Sequence, residues 1–242
     1  MATVIPMDIE AGALGGVGLL RLMSWLSPSF PVGAFTYSHG VEYAIESEMA
    51  DSGTKLTEWV ETILTLGAGR VDADLFREAW LAVRDGETER FVEIGEWANA
   101  LRGTTEMALE ASAQGKAFRR AVEKAWPHEG MKAAFAALDE AEVELSYAVA
   151  VAVAAATMGV PLRPALQAFL HAMAANLISA GVRLVPLGQT DGLKAVAALE
   201  PVVLEAVNAA LERDFEDLGA AAPMVDWTSM QHETQYTRLF RS

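Results

Sequence analysis

The 242-residue sequence contains no cysteine, which removes disulfides, thiolate metal sites and cysteine nucleophiles together. Histidine is scarce, with four widely separated copies and no His-Glu-x-x-His or Glu-x-x-His pair, so no metal store or helical metal centre is expected. Basic residues are few: 18 Lys and Arg stand against 33 Asp and Glu, a formal net charge of −15. Such a chain has no basic surface to release phosphate counterions, which disfavours nucleic acid and favours solubility and basic protein partners. Period-two alternation is almost absent. Tyr147–Val153 alternates, but only alanine against valine inside an alanine-rich run, so the fold class is all-α. The early apolar run Ala11–Leu20 follows Asp8 and Glu10 where a secretory signal needs basic residues, so no signal peptide is read there.

Several catalytic signatures are missing too. The Gly12–Gly18 cluster lacks the third glycine of a dinucleotide fingerprint and the Gly-Lys-Ser/Thr ending of a P-loop; Gly115-Lys116-Ala117 fails at its last position. Ser38 has Thr36, not glycine, two residues before it, so it is not a nucleophile elbow. Asp72 and Asp74 read as a solvated helix start. His171, on the small-residue side of a buried helix, reads as a hydrogen-bonded core histidine. No catalytic residue, cofactor site or metal site is assigned, and the chain is not expected to be an enzyme.

What is present is apolar. Hydrophobic residues make up 52% of the chain, enough for one domain with a substantial core. Leu145–Leu162 and Pro164–Val182 carry no charge, and only Arg163 separates them. Both runs are alanine-rich and broken by Gly159-Val-Pro161, without a positive-inside pattern. They are therefore expected to be core helices of a cytoplasmic protein and not membrane spans.

In chain order, residues 1–17 read as a flexible leader. Helices are predicted at Leu19–Leu26, Gly40–Met49, Thr54–Leu66 with a Thr54 cap, Asp72–Val83 and Glu87–Ala100. Pro28–Ala34 is an extended turn. A long helix through Trp126 is capped by Thr104 or Thr105, and Met131–Leu138 follows. Asp139 and Glu142 suggest a capping box opening Glu140–Met158. Arg163–Leu184 places Leu166, Phe169, Leu170, Met173, Leu177 and Leu184 on one face, with Ala168, Ala172, Ala175 and Ser179 opposite. Both faces look occupied, so this should be a central helix, with Asn176, Ser179 and Arg183 as a polar stripe at its end. Thr190 and Asp191 can cap another helix, and Pro201 suits the first turn of a last one carrying Leu204, Val207, Leu211, Phe215 and Leu218 inward. Residues 18–222 form the helical domain. Residues 223–242 show no helical stripe but hold aromatic and arginine residues, a composition that fits an extension ordering on a partner.

Three stretches stand out, each with a structural alternative. Ser27–Glu42 packs turn formers and aromatics, as a tight interhelical turn also would. Arg183 can pair with the negative end of its own helix. The tail can be a flexible extension. Together, however, Pro28-Ser-Phe-Pro-Val-Gly-Ala-Phe-Thr-Tyr-Ser-His-Gly-Val-Glu42, Ser112-Ala-Gln-Gly115, Ser179-Ala-Gly-Val-Arg-Leu-Val-Pro-Leu-Gly-Gln-Thr190 and His232-Glu-Thr-Gln-Tyr-Thr-Arg-Leu-Phe-Arg-Ser242 resemble, in order, the motifs of the urease accessory protein UreF family. Two departures occur: Leu193 stands where many members carry a polar residue, and Tyr147–Ala152 lacks the proline and glycine often found there.

The resemblance implies an all-α, non-enzymatic protein, dimeric within a complex with UreD (also called UreH) and the GTPase UreG. That complex delivers nickel to apo-urease as its active-site lysine is carbamylated. Tyr37, Ser38, Glu42, Arg183 and Gln189 would then face UreG, and His232, Tyr236, Arg238, Phe240 and Arg241 would face UreD. Two mechanisms follow, a recruiting scaffold or a GTPase activator with Arg183 as an arginine finger. Arg183 ends a buried helix, which favours the scaffold. The outside alternative is a small-molecule-binding or enzymatic helical domain with a cavity between its central helices.

Overall fold

A computed structural model describes residues 14–242. The leader's residues 1–13 lie outside the described residues. Among the described residues there is no strand, as the missing alternation requires. The helices are α1 (Gly16–Trp25), α2 (Val41–Glu46), α3 (Gly53–Thr65), α4 (Ala68–Asp85), α5 (Thr88–Ala100), α6 (Thr105–Ala125), α7 (Glu129–Glu140), α8 (Tyr147–Thr157), α9 (Leu162–Leu184), α10 (Gln189–Glu212) and α11 (Pro223–His232).

Helix α8 is the centre. Every residue from Ala148 to Ala155 is buried, between α4 on one side and α6 on the other. Its alanines let those neighbours approach closely. At the crossing with α6, a Cβ on Gly115 would lie 2.2 Å from the Leu145 carbonyl oxygen, so only glycine fits. Helix α9 packs its leucine face against α10, α3 and α4. Gly181 faces Leu56 there, where an added Cβ would stand 2.3 Å from a leucine methyl. Helix α9 is also long and apolar enough to cross a membrane, but half of its most apolar window is buried inside the fold.

Several boundaries differ from the sequence reading. Helix α1 starts at Gly16, and Ser52 rather than Thr54 caps α3 by accepting from the Lys55 N–H. Thr104 caps α6 as expected, accepting from the Met107 N–H at 3.2 Å. The Asp139–Glu142 capping box does not form. Asp139 still belongs to α7, where Arg119 takes both its oxygens at 2.7 Å, and Glu142 turns the chain with φ 55° before α8 begins. Pro201 does not open a last helix but lies inside α10, which runs unbroken from Gln189 to Glu212. Phe215 follows α10 in a 3₁₀ turn, with Arg90 over its ring at 4.3 Å.

Residues 223–242 also differ from a flexible extension. Pro223 starts helix α11, which packs on α2 and α6 although it has no apolar stripe. Phe240 and Ser242 are buried beyond it. The physical reason is polar: the segment is held by buried hydrogen bonds and ion pairs, to which hydropathy is blind.

Candidate functional site

The site begins with backbone geometry. Gly33 and Gly40 adopt left-handed conformations, φ 76° and 77°, that bend the Pro28–Glu42 segment around the end of α9. Gly40 also abuts the Ser229 backbone, where a Cβ would come within 2.7 Å of the amide nitrogen. His39 shares the left-handed region at φ 59°, an uncommon conformation for a residue with a side chain. This bend buries Tyr37, Ser38 and Glu42 and leaves Phe35 exposed.

The polar stripe of α9 holds this bend in place. Asn176 donates to the Ala34 carbonyl at 3.1 Å. Arg183 donates to its own helix at Ser179 (3.1 Å), to the Phe35 carbonyl (2.9 Å), and stacks over the Phe240 ring at 4.4 Å. The helix-end pairing expected of Arg183 and a contact role beyond its own helix are thus both present. Gln189 is exposed at the start of α10 and joins none of these contacts.

The two residue sets assigned to different partners converge. Glu42 accepts hydrogen bonds from the amides of Leu239 and Phe240 at 2.7 and 2.9 Å, and His232 Nε2 lies against it at 3.0 Å. The other His232 nitrogen, Nδ1, lies 2.6 Å from Glu106, and Arg238 donates to the same carboxylate at 2.8 Å. The Ser38 N–H donates to the Ser242 carbonyl at 2.6 Å, and its hydroxyl donates to the same oxygen. The Arg241 N–H donates to the Thr36 carbonyl at 2.8 Å. His232, Phe240, Ser38 and Glu42 are therefore internal, whereas Tyr236, Arg238 and Arg241 remain exposed.

A second buried cluster adjoins the first. His39 Nδ1 meets Glu110 at 3.2 Å, and Glu110 also accepts from the Ser242 hydroxyl at 2.8 Å and from Gln114 at 3.0 Å. Burial pulls the His39 pKa down, but Glu110 more than offsets it and the net shift is upward. Glu110 moves the opposite way, below the usual carboxylate range, because His39 outweighs its burial. Asp72, expected in solvent, is buried against Arg102 at 2.7 Å; Asp74 is likewise buried and pairs with Arg213. Both were misread because carboxylates at a helix start are usually solvated, and arginines remote in sequence cover these two.

Sequence reasoning also passed over Glu106 and Glu110, and met Gln114 only as part of the Ser112–Gly115 motif. They recur every four residues along α6, a polar stripe beside buried Met107, Gly115 and Phe118, and that spacing was the available signal.

Beside the cluster a groove of about 740 Å³ opens between α1, the Phe30–Phe35 bend and α9. The small-residue face of α9 lines it, so that face is half open and not covered on both sides. His171 lies on the same wall and is exposed, not a core histidine. The inner end of the groove is polar, with His39, Asp72, Arg102, Glu110 and Gln114. Among the described residues no group of three or more His, Asp or Glu side chains is arranged to hold a metal ion.

Comparison with known proteins agrees with this geometry. The UreF family model matches residues 51–200. The urease accessory protein UreF of Rhodopseudomonas palustris strain HaA2 is 46% identical over 241 residues, covering 100% of this chain and 99% of that protein. UreF of Granulibacter bethesdensis is 47% identical over 228 residues, with 94% and 95% covered, and that of Bradyrhizobium diazoefficiens is 45% identical over 244, with 100% and 99% covered. A family match across more than half the chain, together with near-full-length identity at this level, places the protein in the UreF family of urease accessory proteins.

Proposed function

We propose that this chain is the cytoplasmic, non-catalytic middle piece of a urease-maturation complex, bridging UreD and the GTPase UreG so that GTP hydrolysis is coupled to nickel insertion and lysine carbamylation in apo-urease. The observation that carries the reading is the single rigid surface formed where the Pro28–Glu42 bend, the end of α9 and the C-terminal segment lock together. Phe35, Arg183, Tyr236, Leu239 and Arg241 are exposed on these elements around a buried polar centre. Aromatic and arginine side chains on a rigid base are the composition of interface hot spots. On a protein of net charge −15, the outward Arg183, Arg238 and Arg241 also make this a local basic site for an acidic partner.

In this reading Glu42, Ser38 and His232 shape the surface without touching a partner, while Arg183 meets UreG. The exposed Met224, Trp227 and Met230 of α11, with Tyr236, Arg238 and Arg241, meet UreD. Arg183 works as a scaffold contact. Its guanidinium is held by two carbonyls and an aromatic ring, whereas an arginine finger must be free to enter another active site. The apolar groove, rimmed by exposed Leu19, Met23 and Phe35, serves as the homodimer face.

One observation favours a second reading, a small-molecule site: the groove ends in titratable groups, and His39 Nε2 is buried there without a hydrogen-bond partner. The other groups at that end are paired with one another, and no nucleophile stands among them. The deciding experiment is co-purification with UreD and UreG, with and without GTP, followed by activation of apo-urease in vitro. Capture of both proteins is the expected result; capture of neither, with a small molecule retained in the groove, would replace the scaffold by the second reading.

A further inference from the structure

The C-terminal segment is fastened by charge, not by an apolar face. Beyond α11, only Phe240 contributes a buried large apolar side chain. Beside backbone hydrogen bonds to Thr36 and Ser38, the segment's ties end on three carboxylates in particular, Glu42 in α2 and Glu106 and Glu110 in α6. Two histidines sit against these carboxylates, His39 just before α2 and His232 at the end of α11, the latter wholly buried with each ring nitrogen against a carboxylate oxygen.

Around each ring carboxylates outnumber arginines. His232 faces Glu42 and Glu106, and Arg238 shares Glu106. His39 faces Glu110, with the Asp72–Arg102 pair and Asp226 also acting on it. Removing the proton of His39 leaves Glu110, which holds the Ser242 hydroxyl, as an uncompensated buried carboxylate within a protein that is already strongly acidic.

We propose that the C-terminal segment is a pH-responsive strap, its end fastened through the Ser242–Glu110–His39 chain while His39 is an imidazolium ion and released when that ring loses its proton. The strap's state then decides whether Arg241 and Leu239 sit beside Arg183 or swing away, whichever protein uses that surface. The direction follows from linkage. His39 is shifted upward from 6.5, so its contribution is complete below 6.5 and is lost as pH rises through the raised value. Glu110 is shifted downward from 4.5, so its contribution is complete above 4.5 and is lost as pH falls. The strap is therefore tightest between those limits and loosens in alkali.

Hydrogen exchange on the full chain tests this directly, because the Leu239 and Phe240 amides donate to Glu42. After correction for intrinsic exchange, their protection should fall about tenfold or more between about pH 6 and pH 8.5, while that of α8 stays constant. His39→Asn keeps a side-chain donor and suits the left-handed backbone but cannot titrate, so its strap should show a weaker pH response. Protection that does not change with pH, or an equal response in His39→Asn, overturns the proposal. Should that variant not fold, the ring ¹⁵N shifts of wild-type His39 decide: a protonated ring at about pH 6, its proton lost together with strap protection, is expected, and a neutral ring there overturns it.

Discussion

The Arg183 guanidinium lies over the Phe240 ring at 4.4 Å, joining the end of the most apolar long helix to the C-terminal segment. The same arginine holds the Phe35 carbonyl, so three stretches distant in sequence are tied at one side chain.

Arg183→Lys separates the scaffold from the finger mechanism. Lysine lacks the planar fork that bonds two carbonyls and stacks on a ring. Binding to the GTPase is expected to weaken by about tenfold, roughly 1.4 kcal/mol. Hydrolysis per bound complex should stay within about twofold, because a scaffold contact does not enter the transition state. A single-turnover assay at saturating partner measures this; collapse of hydrolysis at full occupancy would establish the finger.

Phe240→Ala combined with Arg241→Ala should abolish capture of UreD without unfolding the helices. Truncating a buried phenylalanine costs about 3 kcal/mol, but here the loss falls on the strap and not on the α8 core. Pull-down beside far-ultraviolet circular dichroism checks it. Unchanged capture would remove the segment from the interface.

Leu19→Glu with Met23→Glu should convert a dimer to a monomer, since both side chains line the open groove and burying two carboxylates in an apolar contact is unfavourable. Light scattering reads the mass. A variant that remains dimeric places the interface elsewhere.

Gly115→Ala should lower stability by about 3 kcal/mol or more, because the new methyl collides with backbone that has no room to move. Gly219→Ala is the control: nothing lies within 4 Å and its φ is unremarkable, so a change within about 0.5 kcal/mol is expected. Thermal unfolding of the two variants side by side gives the comparison.

The sequence by itself determined the helical class, the placement of α8 and α9 against the core, the Thr104 cap and the family motifs. These depend on periodicity, local chemistry and composition, which a linear string carries. It also marked Glu42, Arg183, His232 and Phe240 as informative, because they lie in the stretches that carry the family resemblance. Only the tertiary structure decided what they touch. Glu42 and His232 meet across 190 positions, Asp72 and Asp74 change from expected solvated carboxylates to buried partners of Arg102 and Arg213, and Glu110 joins His39. His171 moves the other way, from the expected core to an exposed groove wall. Charge pairing over such separations leaves no periodic signature, because it is chosen by which helix faces which. An apolar stripe announces its own burial; a carboxylate is buried only where the rest of the chain brings it a proton donor.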